Sequence, residues 1–532
     1  MPRRLPRRRY ECEDVDECLE DTHDCAVDPL CVNTEGAFEC APSVFFACDC
    51  DDEDDDCRPG NDMADGRSPN TPWRSLGPLG EAARLDALEP GISVRLCRGG
   101  TFAGDLAIPA GLRCGADTPC AVGTYASPDS AADAPAPVVM GAVIIPATRQ
   151  GLVVEGLTLV GMGMGAGVSV EPGATDITLR ALTIRGWSVG VSAQAVTGLT
   201  LTDSSITDNT RSGWLGGGER IALLDNTFAR NAGADFTHHN VHFDCAAGCT
   251  DLVMRGNEIT DSSLDEDGAC FLPALGLFGQ AQSVNIAGNH IHQDLETANQ
   301  GCDGIAVGPA TRGEEEGFTE VVIRGNRVIN MGGTAIGVSA CVSCVVENNV
   351  IVQEQALTFK GIVGPDRRVQ MEDSELDAFV VRNNSIWIGR QIETVAIAIQ
   401  IYRQGREHQI VNNAIVNLSQ GFNSCCIDQD RDLSRYADID HNICLLADDN
   451  PRANWALGYG SLARWRDTGF GAHSLEADPG YAAPMGPDFD LGARGPEAAI
   501  VDAGKAGSSP GTDLNGRARG QMPDVGAYEY VP

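Results

Sequence analysis

The densest grouping of residues able to do chemistry is Asp235-Phe-Thr-His238-His239-Asn240-Val-His242-Phe-Asp244. If Val241 and Phe243 point inward, period-two alternation sends Asn240, His242 and Asp244 to one outer strand face. Such a row suits a sugar or a cation. A His beside an Asp also suits a general base, because imidazole titrates near neutrality. The reading takes His242 and Asp244 as catalytic candidates and His238, His239 and Asn240 as substrate-binding ones; a solvated polar stripe fits the same letters. His-His-x-x-His matches no standard helical zinc spacing here.

Only two lysines, Lys360 and Lys505, stand among the 38 basic residues. A mechanism needing a lysine base therefore falls on Lys360, with Arg367 and Arg368 nearby in a long insertion. Asp303, in Gly301-Cys-Asp303-Gly, is expected to face out beside the next strand, and Tyr402 to offer a ring on which a sugar stacks. Trp214 would do the same if exposed, and suits inward packing equally. Asp265-Glu-Asp267 and Glu314-Glu-Glu316 read as solvated loops.

The elements that must position these groups come from a recurring phrase, apolar-x-x-Asn-x-apolar. It appears around Asn226, Asn257, Asn289, Asn326, Asn349, Asn384 and Asn413, with less regular copies at Leu157, Leu182, Ser204 and Asn442. The shortest gaps set a unit of about 22 residues, and longer gaps add loops. Each unit carries short runs with inward alternation and no recurring hairpin signal, which argues against a sandwich or propeller. The fold class expected is all-β: a right-handed parallel β-helix of about eleven or more coils, roughly 50 Å long at about 4.8 Å per rung. The Asn is expected at the sharp bend, in the left-handed backbone region, with its amide bonded to the Asn one coil away.

A composition of 62 Gly and 5% aromatics suits small side chains stacked in a narrow solenoid. The net charge of −37 argues against nucleic-acid or anionic-membrane binding and favours cations as partners. Twenty cysteines, eight of them within residues 1–57, imply disulfides and an oxidising compartment. Local bridges are expected for Cys245 with Cys249 and Cys341 with Cys344, and further ones for Cys270 with Cys302 and for Cys444 with Cys425 or Cys426. No apolar run follows the basic Met1–Arg9 stretch, so the expectation is a secreted or surface chain whose start is misassigned or truncated. No run is long and apolar enough to span a membrane.

Residues 14–40 contain Asp14-Val15-Asp-Glu17-Cys18, Cys25, and Cys31-Val-Asn33-Thr34-Glu-Gly-Ala37-Phe-Glu-Cys40. This resembles the calcium-binding EGF-like domain. The resemblance implies calcium held by Asp14, Glu17 and Asn33 side chains with carbonyls of Val15, Thr34 and Ala37, and the pairings Cys18 to Cys31 and Cys25 to Cys40. Such a shell of hard oxygens is what Ca²⁺ takes. Protein partners through this module are a further expectation. The acidic run Asp49-Cys-Asp-Asp-Glu-Asp-Asp-Asp-Cys57 reads as a linker.

Two further segments resemble the ends of exported right-handed β-helix proteins of the pectate-lyase-like superfamily. One runs from Gly60 through Trp73 to Phe102; the other contains Trp465-Arg-Asp-Thr-Gly-Phe470, Asp478-Pro-Gly-Tyr481 and Pro523-Asp-Val-Gly-Ala-Tyr-Glu529. The resemblance implies caps, which an open first or last coil needs to cover unpaired strand edges. The expected organisation is an EGF-like module with acidic linker at 1–57, cap and first coils at 58–150, the β-helix at 151–450 and the C-terminal cap at 451–532. The function expected is binding or cleavage of polysaccharide, lyase-like or hydrolytic, by a monomer; a non-catalytic adhesin binding glycan or protein is the alternative.

Overall fold

The computed structural model describes residues 31–34, 37–40, 44–50, 57, 59–80, 91–110, 112–127, 133–231, 239–262, 270, 272–293, 298–308, 315–365, 373–486 and 488–531. Strands run parallel around three faces of a coil. In one coil Gln150–Glu155 lies on the first face, Thr158–Val160 on the second and Ala166–Val170 on the third. Each pairs in register with its copy a coil later: Leu152 with Ile177, Leu159 with Ile184 and Val168 with Val191. Val, Ile and Leu at alternate positions fill the interior, so every added coil extends one continuous core.

The Asn phrase marks the bend between first and second faces, and its amides form a ladder. Asn257 Oδ1 accepts from Asn226 N and Nδ2, both at 3.0 Å, while Asn257 Nδ2 donates to Asn289 Oδ1 and Leu223 O, both at 2.9 Å. All four bonding positions of the buried amide are thereby filled. The same pattern climbs through Asn326, Asn349, Asn384, Asn413 and Asn442, and serine hydroxyls stand at its ends, Ser204 and Ser474.

One expectation is corrected. The left-handed residue is the one before each Asn, such as Asp225 at φ 54°, Gly256 at 69° and Asn348 at 55°, and the ladder Asn itself does not adopt that region. The division is physical. One residue turns the chain, which Gly, Asp and Asn do at low steric cost, and the next satisfies the buried groups the turn exposes.

Both ends are closed. Val44–Ala47 pairs parallel with Ser93–Cys97, and Phe45 stacks on buried Trp73 at 4.9 Å. The solenoid thus reaches back into the segment 1–57. At the other end Ser461 caps the short helix Leu462–Arg466, whose Trp465 is fully buried over the last coil. The following chain then runs back along the second face. Tyr481 hydroxyl donates to Ala414 O at 2.6 Å, Ala527 N to Ser385 Oγ at 2.9 Å, and Arg327 donates to Tyr528 hydroxyl at 3.0 Å. A second apolar cluster, including Val416, Leu491, Ile500 and Val525, forms beneath it.

The disulfides Cys245–Cys249, Cys341–Cys344 and Cys270–Cys302 are present as expected, and Cys444 takes Cys426, leaving Cys425 a buried thiol. Cys48–Cys97, Cys50–Cys57 and Cys114–Cys120 add to them. Among the described residues no helix is long and apolar enough to cross a membrane.

Candidate functional site

His242 and Asp244 do face outward on the third face, between buried Val241, Phe243 and Cys245. His242 stacks on His239 at 4.9 Å and lies 5.2 Å from the Phe278 ring of the next coil. Asp244 closes its own turn by accepting from Ala246 N at 3.2 Å. Two expected companions are buried rather than presented on that outer face. Asn240 is fully buried in a second amide ladder, its Oδ1 accepting from Asn231 Nδ2 at 2.8 Å. His239 is nearly buried, with Nδ1 2.9 Å from Pro273 O. The period-two argument fails at Asn240 because that residue sits at a bend, where alternation has not begun. Trp214 likewise packs inward, against Phe243. His238 lies outside the described residues.

Lys360 stands on the third face in Phe359–Gly364, four rungs beyond His242 through Leu275, Ile305 and Ile336. At about 4.8 Å per rung this is roughly 19 Å, so His242, Asp244 and Lys360 do not meet. Asp303 Oδ1 accepts from Thr334 N at 2.7 Å, a bond that aligns the start of the next coil's strand.

The structure instead brings Tyr402 together with two acids, with the charge of Lys360 felt at one of them. Further along the third face a cleft of about 720 Å³ is lined by Tyr402, Arg403, Asp428, Asp430, Arg431 and Tyr459. The strands that build it are Val395–Ile401 and Asn423–Gln429, with Gln400 beside Asp428 in register. Asp428 points out of a strand whose Cys425, Cys426 and Ile427 are buried. Burial pushes its carboxyl above the ordinary range, against a hydrogen bond from Gln400 and the nearby charges of Lys360 and Arg403.

Asp430, two residues on, has a different environment. Its Oδ2 accepts from Arg403 N at 2.6 Å and lies 3.6 Å from Arg435 Nε, and its own N donates to Tyr436 hydroxyl at 2.7 Å. Tyr436 is itself anchored to Ile401 O. One acid is thus desolvated, and the other sits among backbone donors and a cation. Two carboxyls in unlike surroundings are the starting point for dividing acid and base roles between them. Asp428 and Asp430 were missed in the sequence. Their signal is Asp-x-Asp at the end of an apolar run, which the prominence of the histidine cluster hides.

Comparison with known proteins then fixes the family. The family model described as a right handed beta helix region matches residues 144–421, more than half of the chain. The chain belongs to the right-handed β-helix family. A model of the calcium-binding EGF domain matches residues 14–57 of this β-helix protein. No curated protein matches the chain.

Among solved structures, a lacto-N-biosidase from Eubacterium ramulus is 12% identical over 78% of the chain, with a TM-score of 0.39, and the chain spans 65% of its length. A pectate lyase is 13% identical over 92% of this β-helix protein and 97% of its own chain, TM-score 0.36. A mannuronan C-5 epimerase module from Azotobacter vinelandii is 13% identical over 72% and 91%, TM-score 0.36.

In the EGF-like segment Cys31–Thr34 pairs antiparallel with Ala37–Cys40, Thr34 opposite Ala37 and Asn33 opposite Phe38. Three of the expected calcium ligands, Asn33, Thr34 and Ala37, therefore cluster toward one end of a two-stranded ribbon. Asp14, Val15 and Glu17, with the pairings Cys18 to Cys31 and Cys25 to Cys40, lie outside what is described.

Proposed function

We propose that the protein is a glycan-cleaving hydrolase acting in the cleft between Tyr402 and Tyr459. The observation that carries this reading is the pair of unlike carboxyls, Asp428 desolvated and Asp430 cation-bound, set two residues apart in one groove. Asp428 protonates the leaving glycosidic oxygen. Asp430 acts across the scissile bond, as the base that activates water or as the nucleophile. Two extended residues separate Cα atoms by about 6.6 Å, compatible with either distance class. Tyr402 and Tyr459 offer rings for sugar stacking, and Arg403 and Arg431 offer donors for hydroxyl or carboxylate groups.

Hydrolysis is preferred to elimination because the cleft sets two carboxyl groups side by side, the pair that glycoside hydrolysis uses. A panel of neutral, uronate and sulfated glycans separates the readings. Release of reducing ends without ultraviolet-absorbing unsaturated ends is expected; unsaturated ends would replace hydrolysis by elimination, and no product from any glycan would leave the cleft a binding surface.

The reading extends to the N-terminal segment, where we take Asp14, Glu17 and Asn33 with the carbonyls of Val15, Thr34 and Ala37 as a Ca²⁺ shell, on a secreted or cell-surface protein whose disulfides suit an oxidising compartment. Calorimetry of the full chain is expected to show a Ca²⁺ site that Asp14→Ala with Asn33→Ala removes; undiminished binding in that variant would place calcium elsewhere.

A further inference from the structure

On the second face, away from the cleft, the strand His290–His292 lies directly above Glu258–Thr260, with His290 opposite Glu258 and His292 opposite Thr260. Ile291 is fully buried between the two histidines, so both rings project from the same side of the strand, their centroids 4.6 Å apart. His292 Nε2 lies 3.4 Å from Glu258 Oε1. One ligand atom from each of Glu258, His290 and His292 falls within 4.8 Å of the others. We propose that these three side chains form a binding site for a divalent transition ion of the zinc type, independent of the cleft and of the calcium module.

The chemistry of the donors selects the ion. Two imidazoles and one carboxylate suit Zn²⁺, Co²⁺ or Ni²⁺, whereas Ca²⁺ and Mg²⁺ take shells of oxygen. Three protein ligands on an open surface leave a fourth position for water or a small anion, the arrangement of non-structural zinc sites. Coordination needs neutral imidazoles with a chosen nitrogen outward. Thr260 Oγ1 lies 3.3 Å from His292 Nδ1 and so turns Nε2 toward Glu258, the role that outer partners of ligating histidines play.

Arg327, opposite His290 on the following coil, donates to Asp488 O at 2.9 Å and to Tyr528 hydroxyl, which engages its guanidinium with the returning C-terminal chain. The rungs themselves are rigid. Asn257 and Asn289, the ladder residues immediately preceding Glu258 and His290, lock the two strands at fixed spacing, so the backbone positions that carry the three ligands are set before any ion binds.

A different His and carboxylate grouping supplies the control. Asp440 Oδ2 lies 2.7 Å from His473 Nδ1 and 3.4 Å from His441 Nδ1, but its Oδ1 already accepts the backbone N–H of His441 and His473, so it fastens the C-terminal cap. The test is calorimetric titration of the full chain with Zn²⁺ under saturating Ca²⁺, with visible absorption of the Co²⁺ form as a second readout. One equivalent is expected to bind. His290→Ala and His292→Ala should each weaken it at least about tenfold and abolish the cobalt bands, and Glu258→Gln should weaken it less, all with unchanged metal-free melting. Absence of a zinc site, equal affinity in the histidine variants, or loss caused instead by His473→Asn would overturn the proposal.

Discussion

Asp428→Asn is expected to lower kcat/KM on the cleaved glycan by about 10²–10⁴-fold, the range over which a positioned general acid acts, without lowering the melting temperature. The two halves of this result have one cause. Burial raises the folded-state pKa of Asp428 above its unfolded value. A group shifted in that direction contributes stability that is fully present below the unfolded pKa and is lost as pH rises through the folded pKa. The folded chain therefore disfavours the ionised form of this carboxyl relative to the unfolded chain. Asn keeps the shape and removes a charge that burial disfavours, so the fold is kept or improved while the transferable proton is gone.

The parent should also show an alkaline limb in kcat/KM, activity falling as pH rises through the folded pKa, and the variant should lack it. Full activity in Asp428→Asn would remove this residue from the chemistry. A lost alkaline limb with activity retained would make Asp428 a tuning group rather than the acid.

The largest stability effect is expected at the ladder. Asn257→Ala removes an amide whose four bonds all end on buried partners. Asn226 N and Nδ2, Leu223 O and Asn289 Oδ1 each lose a partner at once inside a buried bend. Unsatisfied buried groups cost about 1–3 kcal/mol each, so a destabilisation of roughly 3–5 kcal/mol follows after partial relaxation. Denaturant unfolding followed by circular dichroism measures it. Asn257→Ser should recover part of the loss, since the Ser204 hydroxyl already accepts a ladder bond, from Leu182 N at 3.0 Å. A cost of less than about 1 kcal/mol for the alanine would mean that the ladder is dispensable.

The architecture was legible because each coil repeats one physical problem, a chain that must turn sharply inside a buried column, and solves it with the same side chain. Leu157, Leu182 and Ser204 could be aligned with the Asn phrases without an Asn because the apolar runs on either side kept their spacing, and the paired registers follow them. The site was less legible for a matching reason. Face assignment from alternation works inside a strand, as at His242 and Asp244, and fails at a bend, as at Asn240. Grouping in sequence also differs from grouping in space. His242 and Lys360 share a face yet stand four rungs apart, while Tyr402 and Asp428 line one cleft from different coils and Lys360 acts on Asp428 from a third. In a solenoid, neighbours in space are separated by one whole coil plus its insertions, and the insertion lengths must be known before any pair can be matched.

The amide ladder has a directional consequence. In each ladder Asn the Oδ1 accepts from the coil before it, so these carbonyls all point toward the N-terminal end. Backbone dipoles in a sheet nearly cancel, but aligned amides add, as peptide units do along an α-helix. The rod therefore carries an axial electric polarity inside a low-dielectric core, negative toward its first coils and positive toward its last. Its two ends are electrically unlike, and a charged molecule moving along the outer faces would find that the two directions of travel are not equivalent.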